Sequence, residues 1–140
     1  MKQLAPIALA MIFALPAPAL HAQETERTRA GVAAAQEWLG LADAGKGAGS
    51  WAAAGTVFRA AVTSEQWDGM LEGARAPLGA LKTRSLSSAR YTRTLPGMPE
   101  GDYVVIQYAA TYASRPGATE TVVTAREGDG AWKVITYLIQ

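Results

Sequence analysis

The apolar residues of this chain change their spacing once, near residue 80, and that switch restricts its fold more than any other feature. Up to Leu78 they recur every three or four positions, the period of a helix with one buried face. Beyond Leu81 they alternate, the period of a half-buried strand. Between Ala30 and Ala42, Ala34, Trp38 and Leu41 form one helical stripe with Val32, Ala35, Leu39 and Ala42 beside it, and Gly45, Gly47 and Gly49 close the segment. Gln23 to Arg29 is polar and reads as a loose entry. Ser50 reads as the N-cap of a second helix carrying Trp51, Ala54, Phe58 and Ala61 on one face, with Gly55 costing up to about 1 kcal/mol relative to alanine. Thr63 to Gln66 has the pattern of a capping box. Trp67, Met70, Leu71, Ala74 and Leu78 give a third helix its stripe, which Pro77 and Gly79 bring to an end.

Leu81 to Leu95, rich in Ser, Thr and Arg, suits an exposed first strand, and Pro96 to Gly101 makes the next turn. Asp102 to Ser114 alternates most regularly, with Val104, Ile106, Tyr108, Ala110 and Tyr112 on one face and Tyr103, Val105, Gln107, Ala109 and Thr111 on the other. Arg115-Pro116-Gly117 turns the chain into a third strand, Thr119 to Glu127; Gly128-Asp129-Gly130 is a hairpin signal, and Ala131 to Gln140 closes the domain. The expected fold is α+β, three N-terminal helices packed on one face of a four-stranded antiparallel meander.

The N-terminus has the layout of a secretory signal peptide: Lys2, an apolar run from Leu4 to Leu15, Pro16 and Pro18, and a small-residue exit at Ala22. The apolar run is shorter than the roughly 20 residues of a membrane span. The expected division is 1–22 signal peptide and 23–140 single domain, cut between Ala22 and Gln23, with a periplasmic or secreted destination. Removing 22 of the 140 residues leaves 118 and takes Lys+Arg from 13 to 12 against 12 acids, a net charge of zero. A neutral domain lacks the positive field of a general nucleic-acid binder. The only histidine is His21, inside the leader, and cysteine is absent. Histidine- or cysteine-based nucleophile systems are therefore excluded, as are metal sites that need those ligands, and no lipid-anchor cysteine holds the processed chain to a membrane.

Several segments together resemble a known bacterial group: Ala35-Gln36-Glu37-Trp38-Leu39, Ser50-Trp51, Phe58-Arg59, Trp67, Arg75-Ala76-Pro77-Leu78-Gly79, Arg84, Tyr103 to Tyr108, Glu120-Thr121-Val122, and Gly130 to Val134 with Tyr137. By order and spacing they resemble the domain-of-unknown-function family DUF4019, small exported proteins. The resemblance covers nearly all of the processed chain and implies export; it implies no activity. More distantly, helices followed by a curved antiparallel sheet resemble the cone-shaped nuclear-transport-factor-like and cystatin-like folds, a likeness of fold that does not set function.

The candidate site residues each have a structural reading beside the functional one. Trp38, Trp51, Trp67 and Trp132 suit an aromatic pocket, but periodic aromatics more commonly cover a sheet. Arg75 has the planar fork that binds a carboxylate or phosphate; at a helix end it equally serves terminal carbonyls, or pairs with Glu37, Glu72 or Glu120. Lys82, Arg84, Arg90 and Arg93 offer a local patch for an anionic ligand such as a lipid headgroup, polyanion or nucleic acid, but read more simply as a solvated guard on an edge strand, with Arg84 and Arg90 sharing one parity and Tyr91 and Arg93 the other. Asp102 reads as a turn residue or as half of a carboxylate–phenol pair with Tyr103. Glu120, if turned inward near Tyr108 and Tyr112, needs a partner such as Arg75 or Arg84. Gly45 to Gly49 lacks the ending of a phosphate loop.

The expectation is a non-catalytic binding or interaction module taking a small ligand or an envelope-protein segment on a concave sheet face. Arg75, Arg84, Tyr108, Tyr112, Glu120 and Trp132 are its candidate ligand-binding residues, with no catalytic residue, metal or cofactor. The alternatives are a cofactor-independent enzyme using a carboxylate–tyrosine pair, and a structural or assembly role at the cell envelope.

Overall fold

The computed structural model describes residues 17–140; most of the expected leader, 1–16, lies outside the described residues. Four helices precede the sheet where three were expected: α1 (Ala17–Asp43), α2 (Gly47–Ala53), α3 (Thr56–Ala61) and α4 (Ser64–Arg75), the last followed by a 3-10 turn (Ala76–Leu78). The strands β1 (Leu81–Thr92), β2 (Tyr103–Tyr112), β3 (Arg115–Arg126) and β4 (Trp132–Ile139) pair in chain order, each antiparallel to the next. The fold is α+β, as the spacing of apolar residues indicates.

Two helix boundaries differ from the sequence reading. Gln23 to Arg29 is helical, because its polar side chains find partners along or beside the helix: Arg29 pairs with Glu26 at 2.7 Å, and Arg27 bonds the Tyr91 hydroxyl at 3.0 Å. The expected second helix is two. Ala54 and Gly55 are extended, and the Gly55 N–H donates to the Val134 carbonyl of β4 at 2.8 Å. A Cβ at Gly55 would stand 2.9 Å from both Ile135 Cγ2 and Glu127 Oε1, so glycine permits this approach. Glu127, just past the end of β3, then caps α3, accepting from Thr56 N at 2.6 Å and Thr56 Oγ1 at 3.2 Å.

The other boundaries follow local chemistry. Gly45, at φ 70°, ends α1 in a Schellman motif, with Gly45 N bonded to Ala42 O at 3.1 Å and Lys46 N to Leu41 O at 3.0 Å. Thr63 and Gln66 form the capping box of α4 through reciprocal bonds of 3.1 and 3.0 Å. Ser50 lies inside α2 rather than at its cap, and is buried. Its carbonyl accepts from Trp38 Nε1 at 2.8 Å and its hydroxyl from Trp67 Nε1 at 2.9 Å, so one small polar residue satisfies two indoles.

The helices cover the face of the sheet bearing Val104, Ile106, Tyr108, Val122 and Val134, with Ala35, Trp38, Leu39, Phe58, Trp67 and Leu71 between the layers. The rings meet edge to face or tilted: Phe58 and Trp67 centroids are 4.9 Å apart, Trp38 and Tyr137 5.2 Å. The face is filled by its own side chains. Met70, expected on the buried stripe of α4, is 55% exposed beyond the edge of that contact.

β1 carries two bulges, between Leu81 and Thr83 and between Leu86 and Ser88. Each adds a residue and so reverses the face of everything after it. Arg84 lies opposite Ala110, facing the helices, whereas Arg90 lies opposite Val105 on the outer face. The shared parity expected of these two arginines therefore fails at the second bulge, and Arg84 leaves the solvated edge for the interior.

Candidate functional site

Where α1, α4 and the sheet converge, the interior is polar. Glu120 of β3, paired with Tyr108 and therefore on the inner face, is fully buried. Arg84 reaches it with both sides of its fork: Nε donates to Oε1 at 2.7 Å and Nη2 to Oε2 at 3.1 Å. Tyr112 donates to Oε2 at 3.1 Å, and the Tyr137 hydroxyl donates to the same oxygen. Arg75, at the end of α4, lies 3.7 Å from Oε2, donates to the Tyr137 hydroxyl at 2.7 Å, and stands over the rings of Tyr112 and Tyr137 at 5.4 and 5.7 Å.

Asp43, the last residue of α1, closes the network from the outside. It accepts from Arg75 Nη1 at 2.8 Å and from Arg84 Nη1 and Nη2 at 2.7 and 2.9 Å. Two guanidinium groups thus face two carboxylates, and six elements of the fold are joined with no net charge. Arg75 does bind carboxylates with its fork, but its partners are Asp43 and Glu120 rather than Glu37 or Glu72. Arg75 Nε and the Tyr108 hydroxyl are buried without a bond to any described residue.

The proton affinities follow from this arrangement. Burial alone raises the Asp43 pKa, but the bonds and charges of Arg84 and Arg75 outweigh it and hold that carboxyl below its ordinary 3.8. Burial opposes the charge on Arg84, yet Asp43 and Glu120 keep it firmly protonated. Burial and the Glu120 charge both push the Tyr112 and Tyr137 hydroxyls upward. Asp43 and the two phenols are driven away from neutrality, whereas a general acid or base works best with a pKa near the ambient pH.

Of the sequence candidates, Arg75, Arg84, Tyr112 and Glu120 meet in this network. Tyr108 is adjacent, opposite Glu120 in the register, but its hydroxyl makes no bond with it. Trp132 is elsewhere, lining a shallow cleft of about 130 Å³ with Ala34, Trp38 and Lys133. Asp43 and Tyr137 were not among the candidates. Tyr137 reaches the inner face only because the bulge at Ile135 shifts it out of strict alternation with Val134, and Asp43 looks like any solvated helix-end acid until the helix is docked. Asp102 pairs with a phenol, but that of Tyr91 at 2.5 Å rather than Tyr103, and Arg27 and Arg93 join it.

Two open clefts flank the helix–sheet contact. One, of about 560 Å³, lies between α4, the 3-10 turn and the start of β1, with Asp43, Glu72 and Arg75 in its wall. The other, of about 660 Å³, runs between α1 and β1 and is lined by Val32, Ala33, Leu86, Ala89 and Tyr91 with Arg29 and Arg90. Among the described residues no group of His, Cys, Asp and Glu is placed to hold a metal ion, and no helix is long and apolar enough to cross a membrane.

No curated protein and no solved structure matches this chain, so the likeness to cone-shaped folds gains no support from them. The profile of the family described as protein of unknown function (DUF4019) matches residues 34–137, a span from the middle of α1 to Tyr137 that includes every member of the charged network. The chain belongs to the DUF4019 family.

Proposed function

We propose that this protein is an exported, non-catalytic binding module that takes a small amphiphile with one anionic group in the groove between α1 and β1. The observation that carries the reading is that groove. Its volume of about 660 Å³ falls within the roughly 300–1,000 Å³ of small-molecule sites. Leu86 is 49% exposed in it, opposite Val32 and Ala33, and Arg90 beside it has no carboxylate partner among the described residues. An apolar tail against Leu86 and Ala89 with an acidic head at Arg90 matches that surface in shape and charge.

Export by the 1–22 leader is part of the proposal, with release to the periplasm or medium. Leu20 to Glu26 are exposed, and the first side-chain hydrogen bond from α1 to the sheet is made by Arg27, so a cut after Ala22 breaks none of those bonds and takes His21 from the N-terminal end of the groove, leaving the wall from Glu24 to Gln36. The alternative of a carboxylate–tyrosine enzyme draws on the contacts of Glu120 with Tyr112 and Tyr137. Against it stand the burial of Glu120 and the four donors already occupying its oxygens. The test is an amide NMR titration with laurate below its micellar concentration, with dodecanol as the neutral control. The expected result is saturable shifts at Val32, Leu86 and Ala89 for laurate, stronger than for dodecanol and lost in Leu86→Glu. Absence of shifts there, or equal binding of both probes, refutes the proposal.

A further inference from the structure

The two edges of the sheet are built differently. β1 has the features that keep an edge from pairing with another chain: two bulges, and Lys82 and Arg90 among its side chains. β4 has none of these over its second half. From Val134 to Ile139 it is uncharged and β-branched or aromatic at nearly every position, and its one bulge, at Ile135, precedes the straight run Thr136–Ile139.

That run presents unpaired backbone. Gln140 exchanges both backbone bonds with Thr119 at 2.8 Å, so the alternation of an antiparallel ladder turns the N–H and C=O of Tyr137 and Ile139 away from β3. Among the described residues the only backbone bond reaching this outer edge comes from Gly55, to Val134, just before the run. Large apolar side chains stand around it: Val57 is 46%, Met70 55% and Leu138 52% exposed, and a cleft of about 190 Å³ runs along Ile135 to Tyr137 beside Phe58 and Met70.

We propose that the β4 edge pairs with the β4 edge of a second copy of this chain, extending two four-stranded meanders into one eight-stranded sheet. Charge selects this occupant. In a two-fold antiparallel pairing centred on Leu138, the outward-turned Tyr137 of each copy lies opposite Ile139 of the other and Thr136 lies opposite Gln140, so every side chain of the paired run meets a neutral one. Each Lys133 lies outside the paired run, ten positions from its counterpart, a separation of roughly 33 Å at about 3.3 Å per residue. That exceeds the screening length of about 8 Å at physiological salt. A processed chain with 12 basic and 12 acidic residues adds no long-range repulsion between copies. The same operation on β1 would bring like charges together. The contact is isologous and closes after two copies, because each chain has one such edge.

The test is sedimentation velocity on the purified exported protein, with hydrogen exchange on the same sample. The expected species has twice the monomer mass, and its Tyr137 and Ile139 amides are protected. Thr136→Lys/Leu138→Lys, two changes on the outer face of β4, returns it to monomer with those amides exchanging freely and the thermal midpoint of the isolated fold retained. A wild-type monomer at every accessible concentration overturns the proposal. So does a dimer that survives the double substitution or leaves the β4 amides unprotected, or an edge protected only by an extended segment of a different protein. The laurate titration reads the opposite edge, so either result stands without the other.

Discussion

Glu120→Gln separates a stability brace from a decorative ion pair. The substitution keeps the side-chain shape but removes one negative charge at a position without solvent contact. Two guanidinium groups then face Asp43 alone, and the new amide NH₂ must point toward a guanidinium or a phenol. Removing one partner of a buried pair costs about 3–5 kcal/mol, because the charge left behind is uncompensated. The arginine side chains keep 15% and 14% exposure, so water screens part of the imbalance and the lower figure, about 3 kcal/mol, is expected. With a urea m-value in the usual range of about 1–3 kcal/mol/M, that shifts the midpoint down by about 1–3 M. It lowers Tm by roughly 10 °C for a domain of this size. The assay is urea unfolding followed by tryptophan fluorescence, since Trp38 and Trp67 are in the core. Glu120→Gln/Arg84→Gln removes the charge imbalance and should lose less than the sum of its single changes, by about 1–3 kcal/mol. A Glu120→Gln loss under about 1 kcal/mol, or strict additivity in the double variant, would falsify the brace.

Acid should act through the same chemistry. The Asp43 and Asp102 carboxyls are both held below their ordinary 3.8, the first by Arg84 and Arg75 against the effect of burial, the second mainly by the Tyr91 hydroxyl. A depressed folded pKa stabilises above the unfolded value and loses that stabilisation as pH falls through the folded one, so the urea midpoint should be level near neutrality and drop below about pH 4. Asp43→Asn should flatten part of that drop; an unchanged profile in the variant refutes the assignment. At Gly31 a Cβ would stand 2.6 Å from Val104 Cγ2 and 2.8 Å from Thr124 Oγ1, so Gly31→Ala must push α1 off the sheet and should cost about 1–3 kcal/mol in the same assay. Gly40→Ala, with open space around it in the same helix, should be neutral or stabilising by up to about 1 kcal/mol; equal effects at the two positions refute the close-approach argument.

Local chemistry is legible along the chain itself. The α4 capping box, the stop at Pro77 and Gly79, the Gly128 to Gly130 turn and the inner face of β2 depend on residues near one another in the chain, and the family resemblance falls on segments that the family profile spans. The turn expected at Arg115 to Gly117 lies instead at Ala113 and Ser114, because Arg115 to Gly117 already pair in β3 opposite the end of β2. The absence of cysteine removes thiol nucleophiles, thiolate metal ligands and disulfides whatever shape the chain takes. Convergence of Arg75, Arg84 and Glu120 is foreseeable only as a condition, that an inward Glu120 must find an arginine.

The rest depends on contacts between distant segments. The break at Gly55 exists because β4 offers the Val134 carbonyl, some eighty residues on. Arg84 faces inward because bulges, which exist only where two strands are paired, shift its parity. Asp43 becomes part of a buried network only when the end of α1 docks beside α4 and β1. Periodicity and capping are short-range and can be read along a chain. Strand register, burial of charge and the exposure of one sheet edge belong to pairs of segments, and only the assembled fold decides them.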